Sequence, residues 1–245
     1  MKRAIIIPDC HRPFHHVRAY NLMLEIASSV KIDELVLLGD YADFHSVSRH
    51  VKNPTLPSLL TEEVESVNEG LDQLDKLWPG IRKVYLEGNH EFRLEAFLLN
   101  HAPALFGVTE PKHLFRVPQR PGWIYQRFDR RQAYRILGSA LFARHRPLAT
   151  NPKTGLNRAM VSYCYGDIHK IEEARAVGLD YRSHVAFCPG WLGDEMKVAF
   201  DYMAAPPQWD LGFAFVSVDS SKNFHHEIIS IKNNRAIFNG KEFRA

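Results

Sequence analysis

Three short apolar runs, at residues 4–7, 34–38 and 83–86, each end at a polar cluster, and helix-like stretches separate them. Runs of this length and composition read as strands buried on both faces. Segments 17–30 and 60–78 read as helices. In the second, Leu60, Val64, Val67, Leu71, Leu74 and Trp78 follow i, i+4, i+7 spacing. Thr61 sits near its N-cap, acids fill its first turn, and Pro79-Gly80 ends it. A further helix over 91–99 follows the third run. Strand–helix–strand–helix–strand predicts parallel βαβ units. In such sheets ligands bind beyond the carboxyl ends of the strands, which is where all three polar clusters fall.

The 245 residues, 45% hydrophobic and 24% charged, suit one globular domain over 1–245. Residues 101–125 scatter prolines and glycines among bulky apolar residues and read as an irregular excursion or lid. Beyond them 134–137, 141–144, 161–165, 184–187, 212–218 and 226–231 read as strands with more antiparallel pairing. The formal charge of +3 fits an anionic substrate without demanding nucleic acid. Cys10, Cys164 and Cys188 form no paired framework, which points to a reducing compartment. The apolar run near the N-terminus is too short for a signal peptide, and no stretch is long enough to span a membrane. The expected location is therefore cytoplasmic.

In an extended chain Asp9 and His11 point to one side, so a carboxylate and an imidazole converge. This pattern also arises often by chance. In Gly39-Asp40-Tyr41-Ala42-Asp43, Asp40 has two oxygens that can bridge two cations, and Asp43 is placed to orient a neighbour. Solvated acids in a turn would look the same. In Gly88-Asn89-His90-Glu91, Asn89 offers a neutral oxygen ligand. His90, with a pKa ordinarily near neutrality, suits proton donation to a leaving oxygen. Glu91 either fixes that ring or caps the following helix.

Together the three blocks resemble the signature of the calcineurin-like metallophosphoesterase superfamily, D-x-H, G-D-x-x-D and G-N-H-D/E. Phage and prophage metallophosphatases are the nearest look-alikes, and the resemblance extends through HAPALFGV and WLGDE to PPQWDLGFAFV. It implies an α/β fold, a four-layer α/β/β/α sandwich with mixed sheets. It implies two divalent ions, Mn2+ foremost with Fe, Zn2+, Mg2+ or Ni2+ as alternatives. Asp9, His11 and His169 would hold the first ion, and Asp40 would bridge. Asn89 and His145 would hold the second, and His90 would be the proton donor and phosphate contact. The nucleophile implied is a hydroxide bridging the ions.

Two departures stand out. Arg146 follows His145 where the family has Gly, so it either crowds the metal or contacts phosphate. Gly166-Asp167-Ile168-His169 replaces G-H-x-H, so Asp167 ligates the second ion directly or through water, or plays no part in holding it. Added oxygen donors favour Mn2+ or Mg2+.

The expected activity is metal-dependent hydrolysis of phosphate esters, in the host cytoplasm if the gene is carried by a phage. A nuclease or nucleotide phosphodiesterase is the first alternative, and a catalytically silent interaction scaffold the second. Arg127, Arg130, Arg131, Arg135, Arg144 and Arg146 are either a polyanion-binding surface, nucleic acid included, or a solvated stripe. Cys10 should point into the core. Trp191, Tyr202, Trp209 and Pro206-Pro207 line a cleft or pack the core.

Overall fold

The computed structural model describes residues 1–50, 59–179, 181–197 and 207–245. Tyr202 and Pro206 lie outside them. In chain order the elements are β1 (Lys2–Ile7), α1 (Val17–Ser28), β2 (Glu34–Leu37), α2 (Leu60–Leu77), β3 (Arg82–Leu86), α3 (Glu91–His101), α4 (Pro111–Leu114) and β4 (Trp123–Gln126). The second half contributes β5 (Tyr134–Arg135), β6 (Leu141–Ala143), α5 (Pro152–Ala159), β7 (Ser162–Cys164), β8 (Ile171–Val177), β9 (Ser183–Pro189), β10 (Gly212–Val218), β11 (Phe224–Ser230), β12 (Arg235–Phe238) and β13 (Lys241–Arg244).

One sheet runs β11-β10-β1-β2-β3-β4 and the other β5-β6-β7-β9-β8. Strands β1 to β4 are parallel, and β10 joins β1 antiparallel. Side chains alternate across each strand, and both faces are covered. Ile5, Ile7, Leu35, Leu37, Tyr85, Phe213 and Phe215 pack with α1 and α2. Ala4, Ile6, Val36, Val84, Leu86, Ala214 and Val216 face the second sheet and meet Leu141, Ala143, Cys164, Val185 and Phe187. On the outer face of that sheet, Leu156 of α5 packs with Tyr163, Tyr165, Ala186 and Cys188. The layers are therefore α/β/β/α. The central strands read as mainly apolar runs because neither face meets water, with Glu34 and Lys83 as buried charged residues at the starts of β2 and β3.

Residues 101–125 are the segment expected as an irregular excursion or lid. They form short helical turns, and the chain then returns as β4, parallel to β3. Phe115 and Val117 are buried, and Phe115 stacks on Phe44 and Tyr85 at 5.6 Å each. Burial of these apolar side chains holds the segment down on the core. No helix among the described residues is long and apolar enough to cross a membrane.

Because β1, β2 and β3 are parallel, their carboxyl ends share one edge. Strands β6, β7 and β9 are also parallel to one another, and the loops after β6 and β7 are tied by Gly166 N–H donating to the His145 carbonyl (2.8 Å). The loop after β9 joins the same edge, where Leu192 N–H donates to the Asp9 carbonyl (2.9 Å).

Candidate metal centre

Five strand-end loops converge there. Asp9, His11, Asp40 and His169 are buried and present ligand atoms within 4.8 Å of one another, and so do Asp40, His145 and Asp167. Asp40 belongs to both sets. The third strand-end block meets the second set through Asn89, whose Oδ1 lies 2.9 Å from His145 Nε2.

The local backbone is forced. His11 (φ 53°), Asp40 (φ 47°), Asp167 (φ 67°) and His169 (φ 61°) all occupy the left-handed region, which costs side-chain-bearing residues energy and clusters at functional sites. Hydrogen bonds over-determine it: His11 N–H donates to the Asp40 carbonyl (2.9 Å) and Arg12 N–H to that of Tyr41 (2.8 Å). Glycines clear the approach. A Cβ at Gly88 would collide with the Asp40 carboxylate and backbone nitrogen, and one at Gly166 with the Asp9 carboxylate. Gly88→Ala should therefore displace Asp40, lowering stability by about 1–3 kcal/mol and reducing bound metal. Denaturant titration and elemental analysis check this; wild-type metal content in the variant would contradict it.

The donors face one another rather than hydrogen-bond partners. His11 Nδ1 lies 3.0 Å from Asp43 Oδ2, which leaves Nε2 as its lone-pair face, 3.1 Å from His169 Nε2. Asp9 Oδ1 accepts Asp167 N–H (3.0 Å), while its Oδ2 is buried without a partner. His145 Nδ1 donates to the Leu38 carbonyl (3.0 Å). Its Nε2 faces Asn89 Oδ1 at 2.9 Å, Asp40 Oδ2 at 3.3 Å and Asp167 Oδ1 at 4.0 Å. Three oxygens around one nitrogen call for positive charge between them.

The pKa shifts show the same demand. Burial pulls His145 down, but Asp40 with its hydrogen bond, then Asp9 and Asp167, carry it up to about 10. Burial raises Asp9 to about 7, against the pull of His145. Burial also disfavours charge on Asp40, yet His145 and His90 outweigh it and hold the carboxyl well below its usual range. His169, desolvated beside His11, is pushed well below its ordinary value and so presents a neutral imidazole. A proton on His145 occupies the place a cation would take. The residues thus form two sets suited to divalent metal, with Asp40 in both: two imidazoles and two carboxylates in one, and one imidazole with three oxygen-bearing side chains in the other.

Around these sets, Asp43 Oδ2 lies 3.0 Å from His11 Nδ1 and 3.2 Å from His90 Nδ1. His90 Nε2 is 3.7 Å from Asp40 Oδ2. Glu91 makes no hydrogen bond to the His90 ring. Its buried carboxylate accepts from the N–H groups of Gly88 (2.7 Å), Ala42 (2.8 Å) and Asp40 (3.0 Å) and from Tyr85 hydroxyl (2.8 Å), tying the second and third loops together. Arg146 pairs with Asp167 (Nε to Oδ2, 3.3 Å) and lies over Phe128. Cys10 is in the core, where its thiol donates to the Pro8 carbonyl.

Sequence reasoning missed Arg93. Its Nη1 donates to the Asp43 carbonyl (3.0 Å) and Oδ1 (3.2 Å), and its Nη2 donates to His90 Nε2 (2.8 Å). The signal was its place three residues after His90, which helical spacing puts on the same face. Also missed was the stacking of His169 on Trp191 at 4.7 Å, with Trp209 edge-on at 5.0 Å. The arginine-rich stretch disperses. Arg127 pairs with Glu95, Arg135 lies over Phe142, and Arg144 donates to the Arg146 carbonyl.

A four-layer sandwich with histidines and aspartates gathered at its strand ends defines a metallophosphoesterase-type protein. The profile of the calcineurin-like phosphoesterases matches residues 2–138, more than half of the chain, which belongs to that family. Gene 54 protein of Mycobacterium phage D29 is 24% identical, with 98% of this chain and 97% of that protein covered. Gene 54 protein of Mycobacterium phage L5 is 23% identical, with 98% of each covered. The expected likeness to phage proteins therefore holds. Among solved structures, Vps29 of Chaetomium thermophilum matches with TM-score 0.46 and 12% identity, covering all of this chain and 92% of that one. A Vps29 single mutant from Entamoeba histolytica matches with TM-score 0.46 and 12% identity, covering 99% and 98%.

Proposed function

We propose that the chain is a hydrolase of phosphate esters that works with two divalent cations. The observation that supports this reading most strongly is the sharing of Asp40 by two ligand sets, with the His90 imidazole 3.7 Å from the shared carboxylate. Asp9, His11, Asp40 and His169 would hold one ion, and Asp40, Asn89, His145 and Asp167 the other. When bound, such a pair supplies Lewis acidity toward phosphoryl oxygens and lowers the pKa of water. Three oxygen ligands at the second site favour a hard ion, Mn2+ first.

The remaining roles belong to the chain's own groups. Asp43 orients His11, freeing its Nε2, and holds His90 through Nδ1. Donation to a leaving oxygen would take place from His90 Nε2, a role for which Arg93 has to give up its 2.8 Å contact with that nitrogen. Glu91 keeps the Asp40 and Asn89 loops in register.

The test is turnover of aryl phosphate mono- and diesters by chelator-stripped protein, with and without added Mn2+. Hydrolysis that appears with Mn2+ and is lost on chelation is expected; no turnover by protein carrying two ions would contradict the reading.

Metal binding should release protons. The His145 proton must leave before Nε2 can ligate, so apparent affinity at the second site should rise about tenfold per pH unit below the His145 pKa. The folded, metal-free pKa of about 10 lies above the unfolded value. That stabilisation is therefore complete below about pH 6.5 and lost as pH rises toward 10. Calorimetry from pH 7 to 9 measures the affinity trend, and a flat profile would contradict a proton held on His145 in the absence of metal. Asp167→Ala should weaken the second ion at least about tenfold and spare the first, as two-site calorimetry would report. Unchanged affinities would remove Asp167 from the ligand set.

A further inference from the structure

A groove of about 580 Å3 opens from the metal centre along α3. Asn89 forms its inner wall, and its Oδ1 contacts His145. Arg49, Arg93 and Arg146 line it together with Phe92, Phe97 and Phe128, and no carboxylate does so among the described residues. The opposite flank, past His169 and Trp191, is a cavity of about 370 Å3 that includes Asp194, Glu195 and Asp210. That cavity also holds Lys232 and His16, so its side chains carry a net negative charge, whereas the groove along α3 carries, among the described residues, only cations and neutral groups and is the side that favours an extended anion.

The groove offers flat faces as well as charge. Arg146 lies 5.4 Å above Phe128, which meets the His145 ring edge-on at 5.9 Å. Phe97 is exposed and stacks on His101 at 4.5 Å and 21°. Arg93, Phe97 and His101 are four residues apart, so they form one stripe along the helix. Cations interleaved with half-buried Phe92 and Phe128 and exposed Phe97 suit a backbone of repeated phosphates that carries planar groups. Small phosphate monoesters would use only the inner end.

Building on the hydrolase reading above, we propose that this groove holds the strand of a single-stranded nucleic acid next to the scissile phosphodiester. Unpaired bases are needed because the ring faces must stack on them. Hydrolysis adds one water: a P–O bond to the water oxygen forms, the P–O bond to the leaving sugar oxygen breaks, and that oxygen takes the proton.

The experiment compares kcat/KM of the Mn2+-loaded chain for bis(p-nitrophenyl) phosphate and for a fluorescent single-stranded DNA. The DNA is about 12 nucleotides long, within the span of single-strand grooves. The oligonucleotide should be the better substrate. Arg49→Ser and Phe97→Ala should each lower the oligonucleotide-to-aryl ratio about tenfold, the effect of one lost phosphate contact or base stack. The log–log salt slope for the oligonucleotide should be about −2 and should flatten by about 0.7 in Arg49→Ser. Turnover of the aryl diester with no preference for the oligonucleotide, or ratios unmoved by both variants, overturns the groove assignment and leaves the hydrolase standing. An equal rate on a mononucleotide ester overturns the strand assignment. Failure of protein carrying two ions on every ester overturns the hydrolase reading and this one with it.

Discussion

Asp40→Asn should lose both ions and lower kcat/KM for an aryl phosphate diester about a thousandfold or more. The substitution keeps shape but removes the charge that both ligand sets share. Asp40 Oδ1 accepts His90 N–H at 2.8 Å, and an amide oxygen can still do so, so the third loop should remain docked. What disappears is the carboxylate facing His145 Nε2 at 3.3 Å and His90 Nε2 at 3.7 Å. Removing one electrostatic group from a catalytic site typically costs about 100- to 1,000-fold, and here one group is shared by two ligand sets. Elemental analysis after gel filtration, circular dichroism and steady-state kinetics together separate metal loss from unfolding. A folded Asn variant that still holds two ions would remove Asp40 from the bridging position.

The second large effect is kinetic and should leave the metals in place. His90→Asn should lower kcat about 100- to 10,000-fold, the usual share of general acid catalysis, while metal content stays near wild type. His90 belongs to neither Asp40-containing ligand set; it reaches the centre through Asp43 and sits next to Asn89. The deficit should depend on the leaving group. An alkyl ester needs a proton on its departing oxygen, whereas a nitrophenolate leaves with little help, so the loss should shrink as leaving-group pKa falls. A deficit equal across leaving groups would assign His90 to binding the phosphate alone. Arg93 adds a second signature. It donates to His90 Nε2 at 2.8 Å and grips Asp43, so a substrate must compete with that contact to reach the nitrogen.

The central strands and the metal motifs were legible in the sequence for one reason: both are local. A strand buried on both faces is apolar along most of its length, and residues 4–7, 35–38 and 84–86 show this directly, with the buried Glu34 and Lys83 at the strand starts held by Tyr134 and Asp75. The candidate ligands follow at once in tight turns, so short motifs carry them. Strand β8 was missed because it is an edge strand with a charged sequence, IEEARAV, mostly half-buried or exposed. Helix α5 was missed because PKTGLNRA has a proline at its start and a glycine inside. It forms where Asn151 caps it, accepting Thr154 N–H at 3.0 Å, and where Leu156 enters the outer core. The hairpin of β12 and β13 is fixed by burial of Ala236, Phe238 and Phe243 beneath α1, a contact between distant parts of the chain.

At the site, the same division separates what was read from what was not. The pairing of Arg146 with Asp167, the grip of Glu91 on two loops, the stacking of His169 on Trp191 and the Leu38 carbonyl that orients His145 are all long-range or backbone contacts. No motif spacing encodes them. They decide which nitrogen of each imidazole is free to ligate, and so how the ions would be held.

The most direct measurement is an anomalous difference map from crystals grown with Mn2+, recorded on both sides of the manganese edge. Two peaks about 3.5–4 Å apart are expected. One should lie among Asp9, His11, Asp40 and His169, and the other among Asp40, Asn89, His145 and Asp167. A map with no peak, or with a single ion that leaves His145 and Asp167 without metal, would contradict a two-cation centre built on Asp40.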